Sequence, residues 1–309
     1  ILMEKSLDII TIGECLVELS TDKPFEEAED FHLSFGGDVI ASAVAAQKLG
    51  SQVGVIGSVG NDYFKDIILK DLKQQGLDTS HIKICQEKNG LYLCGHTIKK
   101  ELITYRRKVA STCLAPEDFD ADYIKSAQAV YTTGITQSLS TQSNELVKKV
   151  FEMARSNDIL TAYDPNYTSS FMTAYDTKEY LEEIVENIDV LFLSLKNDAE
   201  SLFELTSVEK IVKYFTDYGV KIIVIKSFSE NGYFIYNNGK TEFCKFYIEK
   251  PTSHTMNAGD VFNGGFLSAI INGYSPLESA QIAAKQAGMF IERKSTLKNV
   301  PTKEEVMEL

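Results

Sequence analysis

The chain has 309 residues, 44% of them hydrophobic and 24% charged, with a formal net charge of −13. That length and apolar share can bury a large core, whereas so negative a balance excludes the broad cationic surface on which nucleic-acid binding rests. The longest apolar runs, residues 220–225 and 190–195, are strand-sized and far short of a bilayer span, so no membrane partner is expected.

Residues 1–6 carry both signs of charge and lead straight into a strand, without a basic segment followed by an apolar one; the expectation is a cytoplasmic protein. Five scattered cysteines (Cys15, Cys85, Cys94, Cys113, Cys244) form no CxxC pair, and the four histidines (His32, His81, His96, His254) show no ligand-like spacing. The expectation is therefore neither a disulfide framework nor a zinc site.

Along the chain, Leu7 to Gly13 reads as a buried strand, residues 40–49 as a small-residue helix ended by Gly50, and Val53 to Gly57 as the next strand. A helix follows from about Asp62 to Gln75, stopped by Gly76. The alternation resumes with strands near 129–133, 159–163, 190–193 and 220–226, and helices near 141–155, 178–186 and between 198 and 218. This is the pattern of a mostly parallel sheet flanked by helices, an α/β fold. Residues 15–35 and 90–108 break the rhythm with one-sided β alternation and are expected to form a small β lid. The core then comprises 1–14, 36–89 and 109–309. A hairpin over 233–248 turns at Asn238-Gly239, a pair suited to a type I′ turn.

The segment His254-Thr255-Met256-Asn257-Ala258-Gly259-Asp260 runs into an apolar helix. Backbone N–H groups at such a start can hold phosphate oxygens, and Asp260 beside them can take the proton of an attacking hydroxyl. Asp in a first helical turn is also favoured by the macrodipole alone, so this segment by itself leaves both explanations open.

Six ordered motifs point further: Phe35-Gly36-Gly37, Gly90-Leu91-Tyr92-Leu93, Tyr105-Arg106-Arg107-Lys108, Gly134-Ile135-Thr136, Asp164-Pro165-Asn166-Tyr167 and Asn257-Ala258-Gly259-Asp260. From Asp8 to about Pro301 the chain resembles the ribokinase-like carbohydrate kinases, and within them the 2-keto-3-deoxygluconate kinase branch. The resemblance implies a ribokinase-like α/β core with a β lid, ATP and Mg²⁺ as cofactors, and a K⁺ ion near the anion hole. It implies Asp260 as catalytic base, with an anion hole at Asn257, Ala258 and Gly259. Sugar contacts are implied at Gly36, Gly37, Tyr92, Tyr105 and Arg107, where the planar fork of arginine suits a carboxylate. Nucleotide contacts are implied at Lys226, Ser227, Gly232, Asn257 and Gly259. Magnesium contacts are implied at Asn197 and Glu200, or one step earlier with Ser194 and Asn197 in their places.

Departures from the family pattern accompany these matches. His254 stands where a carboxylate often helps to hold the monovalent ion, leaving the K⁺ requirement open. Ala41 replaces an asparagine, Thr168 replaces an arginine, and the loop near Phe228 lacks a glycine of the nucleotide site. The expected activity is transfer of the ATP γ-phosphoryl group to a hydroxyl of 2-keto-3-deoxygluconate or a related keto-sugar acid. A neutral-sugar (fructose-like) or nucleoside kinase, and a catalytically impaired sugar-binding or regulatory relative, remain as alternatives. The exposed lid strands also offer a homodimer interface.

Overall fold

The computed structural model describes residues 6–97, 101–248, 255–293 and 296–308. Nine strands form the main sheet: β1 (Leu7–Ile12), β4 (Val53–Gly60), β5 (Asp78–Cys85), β8 (Ala127–Thr133), β9 (Leu160–Asp164), β10 (Val190–Ser194), β11 (Ile222–Ser227), β12 (Gly232–Asn237) and β13 (Lys240–Lys245). Their order is β13-β12-β11-β10-β9-β8-β1-β4-β5, parallel throughout except for the β12–β13 hairpin on one edge. A separate sheet of four strands, β2 (Leu16–Thr21), β3 (His32–Gly36), β6 (Gly90–Gly95) and β7 (Leu102–Tyr105), has the order β3-β2-β6-β7.

Both faces of the main sheet are covered, which is why its strands read as unbroken apolar runs. On one face Val39, Val44, Phe262, Phe266 and Phe290 pack between the strands and the helices Asp38–Lys48, Ala258–Ile271 and Pro276–Glu292. On the other, Leu146, Phe151, Leu181 and Phe215 come from helices Thr141–Ser156, Ala174–Ile184 and Val208–Asp217. The hairpin turn falls at Asn238 (φ 48) and Gly239 (φ 81), the two left-handed positions that a type I′ turn needs.

Among the longer elements, two lie outside the sequence expectation. Strand β5 carries Thr79, Ser80, His81 and Lys83; it is a sheet edge, where one-sided polarity hides the strand signal. Helix Pro276–Glu292 starts on a capping box in which Ser275 and Glu278 each accept the other's backbone N–H, a legible signature.

The sheet order reverses at β1. Its neighbour on one side is β4, the next strand of the sheet in sequence, and on the other β8, which arrives much later. In open α/β sheets such a reversal leaves a crevice beyond the strands' carboxyl ends, and ligands bind there. The residues at that end are Glu14 after β1, Thr133 closing β8 and Asp164 closing β9.

Candidate active site

Two helices start at this crevice and are locked together by close packing. A Cβ on Gly264 would lie 2.0 Å from the carbonyl oxygen of Ser42, so only glycine lets helix Ala258–Ile271 approach helix Asp38–Lys48 this closely. Ser42 Oγ donates to the Asp260 carbonyl at 2.8 Å, fixing the depth of the second helix. Its start is built by Asn257 in left-handed backbone (φ 59, ψ 3), a conformation asparagine tolerates better than other non-glycine residues. At that start the Ala258 N–H donates to the Thr255 carbonyl at 3.3 Å, and Gly259 carries the next first-turn N–H, at the helix end where the dipole favours an anion. Among the described residues, the Lys226 ammonium alone stands close above Gly259, 3.4 Å from where a Cβ would be.

Asp260 sits half-buried among other charges. Burial, then the neighbouring Asp38 carboxylate, pushes its pKa well above the ordinary carboxylate value, against the opposing pull of Lys226 and Arg106. The Asn166 amide, on left-handed backbone (φ 46), bridges Asp38 Oδ2 and Asp260 Oδ1 at 3.4 Å each. Thr133 Oγ1 donates to Asp38 Oδ2 at 2.5 Å. Beneath them Lys226 Nζ pairs with Asp164 Oδ2 at 2.7 Å, and Asn263 Nδ2 donates to the same oxygen at 2.7 Å.

Gly37 (φ 133) is compulsory, since a Cβ there would fall 2.4 Å from the Glu14 carbonyl oxygen. Gly36 faces Tyr92, whose hydroxyl would be 3.2 Å from an added Cβ. Tyr92 itself is buried and donates to Glu18 Oε2.

The structure does not bring Tyr105 and Arg107 to this site. Tyr105 pairs with Leu91 across the lid sheet and is 58% exposed, and Arg107 is exposed as well. The lid cation that reaches the crevice is Arg106. Its side chain is only 12% exposed, its Nη2 lies 3.0 Å from Glu14 Oε1, and its guanidinium stands 5.1 Å over the Phe171 ring. The cause is alternation: Thr104 pairs with Tyr92 and shares its face, so two residues on Arg106 turns inward while Tyr105 and Arg107 turn out. Burial pushes the Glu14 pKa up to about 7, with Arg106 lowering it and Asp38 raising it. Asp38 Oδ1 and Arg106 Nε are buried without a hydrogen-bond partner among the described residues. Glu14, Asp38 and Asn263 are thus additions from outside the motifs, while Arg106 and Asn166 lie within motifs whose resemblance implies no contact at them.

The remaining expected positions are divided. Lys226 reaches the helix start, whereas Ser227 is buried and its hydroxyl meets Ser229 at 3.2 Å. Gly232 packs against β13, where a Cβ would fall 2.4 Å from the Phe243 ring, so its need for glycine comes from the hairpin. Phe228 is 70% exposed. Asn197 and Glu200 are both exposed, on the π-helical turn Leu195–Glu200. Between them Asp198 is buried and accepts from Ser194 N at 2.6 Å and Tyr167 N at 3.0 Å. Ser194 caps that turn by accepting from Asn197 N. Thr168 meets Ser170 Oγ at 3.1 Å, and Ala41 is fully buried. His254 lies outside the described residues.

The chain is similar to known proteins along nearly its whole length. The chain is 26% identical over 314 residues to a 5-dehydro-2-deoxygluconokinase of Clostridium beijerinckii, covering 98% of this chain and 92% of that protein. It is 27% identical over 315 residues to a 2-dehydro-3-deoxygluconokinase of Thermoproteus tenax, covering 99% and 95%. Among solved structures, a putative ribokinase II from E. coli in complex with ATP and Mg²⁺ superposes with a TM-score of 0.88 at 22% identity, covering 98% of each chain. A 2-dehydro-3-deoxygluconokinase from Thermotoga maritima gives 0.84 at 18% identity, also covering 98% of each. The model of the pfkB family carbohydrate kinases matches residues 6–303, and the chain belongs to that family.

Proposed function

We propose that the protein transfers the γ-phosphoryl group of ATP to a hydroxyl of a keto-deoxy sugar acid of the 2-keto-3-deoxygluconate type. The observation that carries this is the juxtaposition of a helix start beside Asp260 with inward-facing Arg106 and Asp38, each holding a buried polar atom without a partner. An unpaired buried polar atom costs about 1–3 kcal/mol, which a polyhydroxy acid offsets by completing the bonds. Arginine supplies the fork that a carboxylate fits. The names of the curated relatives are of sugar-acid kinases and support the same substrate class.

In this reading Asp38 and Asn166 orient the sugar, and Arg106 takes its carboxylate. Asp260, its pKa raised by burial and the neighbouring Asp38 carboxylate, accepts the proton of the attacking hydroxyl. The Gly259 N–H and the positive end of the helix, with Lys226 beside them, hold the charge of the transferring group. The exposed oxygen donors Asn197 and Glu200 fit a magnesium ion that keeps several waters, and Asp198 between them is already committed to two backbone N–H groups. When bound, that ion neutralises phosphate charge. Closure of the lid sheet over the crevice excludes water, so ATP is not spent on hydrolysis.

The test is an ATP-coupled assay over keto-deoxy sugar acids, neutral sugars and nucleosides, with the product identified by mass. Sugar-acid phosphate should dominate. Preference for a neutral sugar would overturn the substrate class, and no phosphorylated product from any acceptor would favour a binding or regulatory relative.

A further inference from the structure

The lid sheet carries a second cluster that phosphoryl transfer does not use. Parallel pairing of β2 with β6 sets Glu18 opposite Tyr92 and Ser20 opposite Cys94, all on one face. Just beyond the end of β6, the His96 N–H donates to the Thr21 carbonyl at 2.8 Å, which anchors the backbone and turns the imidazole back toward Cys94. Cys94 Sγ lies 4.0 Å from Glu18 Oε1 and 3.9 Å from His96 Nε2, and the three ligand atoms all lie within 4.8 Å of one another. Glu18 is 3% exposed, Cys94 0% and His96 8%.

We propose that Glu18, Cys94 and His96 bind a zinc-class divalent cation that pins β2 to β6 in the lid. The donor set is chemically selective: a thiolate and an imidazole suit zinc, whereas magnesium and calcium take oxygen. Tetrahedral zinc bonds of about 2.0–2.3 Å put ligand atoms about 3.4–3.6 Å apart, so the two distances to Cys94 need to contract by about half an ångström and that between Glu18 and His96 by up to about 1.4 Å. A partner already orients one ligand: Tyr92 holds Glu18 Oε2, leaving Oε1 turned to Cys94. An entry path exists too. A cavity of about 580 Å³ reaches His96 and is lined also by Asp22, Asp30 and His32, with Lys23 and Lys298, so His96 is the ligand that an entering cation meets first. The sequence gives little sign of the site, because Glu18 is far from Cys94-Gly95-His96 and only strand pairing joins them.

This site stands apart from the sugar-kinase reading and is tested without an activity assay. Metal-stripped protein is titrated with Co²⁺ and then with Zn²⁺. One equivalent of Co²⁺ should bind with a thiolate-to-cobalt charge-transfer absorption that Zn²⁺ abolishes. Cys94→Ser should remove the absorption, and His96→Gln should weaken Zn²⁺ binding by at least about 100-fold. Cys113→Ser, which is not in the cluster, should change neither. No charge-transfer absorption, or its survival in Cys94→Ser, overturns the proposal. Should the variants fail to fold, alkylation of wild-type Cys94 read by mass spectrometry decides: Zn²⁺ should protect it, and equal alkylation with and without Zn²⁺ overturns the site.

Discussion

Replacing Arg106 by alanine separates two adjacent arginines that the sequence presents alike. Arg106 is 12% exposed and holds Glu14 at 3.0 Å, while Arg107 is exposed. A charge-assisted contact to a substrate carboxylate is worth about 1.5–3 kcal/mol, so Arg106→Ala should lower kcat/KM for a sugar acid by about 10- to 150-fold. Arg106→Lys should recover only part of this, since the ammonium lacks the fork. The fold should survive: without its cation Glu14, already lifted to about 7, takes up a proton at neutral pH and leaves no buried charge. Arg107→Ala, a surface change of about 0.5 kcal/mol or less, should stay within about twofold of wild type. The assay is steady-state kinetics of all three variants on a matched acid and neutral sugar. Equal losses for Arg106→Ala and Arg107→Ala, or equal losses on acid and neutral substrates, would refute the reasoning.

Gly37→Ala should cost about 2 kcal/mol or more, because the new Cβ meets the Glu14 carbonyl in a backbone region closed to side chains. Gly50→Ala, also at positive φ but with only the Lys303 chain at 3.9 Å, should cost less, and urea titration of the pair checks the order. Lys226→Met strands the Asp164 carboxylate and should destabilise by about 3–5 kcal/mol; a loss below 1 kcal/mol in denaturant titration would contradict the pairing. Glu14 has a raised folded-state pKa, so its stabilising protonated form is fully present below the ordinary 4.5 and is lost as pH rises through about 7. Between pH 5.5 and 8 that one group should cost about 2 kcal/mol, so Glu14→Gln should lose less stability over this interval than wild type.

How much was legible depends on whether a residue's role follows from local chain chemistry or from a meeting of distant segments. The parallel core reads directly from apolar runs separated by glycine stops, and the helix start at Asn257–Asp260 from small residues before an apolar helix. Gly37 is legible as a turn, although the carbonyl that forbids a side chain there belongs to Glu14. The Arg106 and Arg107 choice needs the register of β6 on β7, because one residue of slip turns every side chain to the other face. Glu14, Asp38 and Asn166 follow different strands and converge only through the sheet order. Strand β5 escapes because an edge strand with one wet face lacks the apolarity of its neighbour β4, although it is as long.

The most direct measurement compares phosphoryl transfer by the wild type and Asp260→Asn on the best sugar acid, with sugar binding followed calorimetrically in parallel. The amide keeps the volume but cannot take the proton, so kcat should fall by about 10²- to 10⁴-fold while the sugar's Kd changes little. Turnover of Asp260→Asn near the wild-type rate would contradict the account, because a group other than Asp260 would then be receiving the proton.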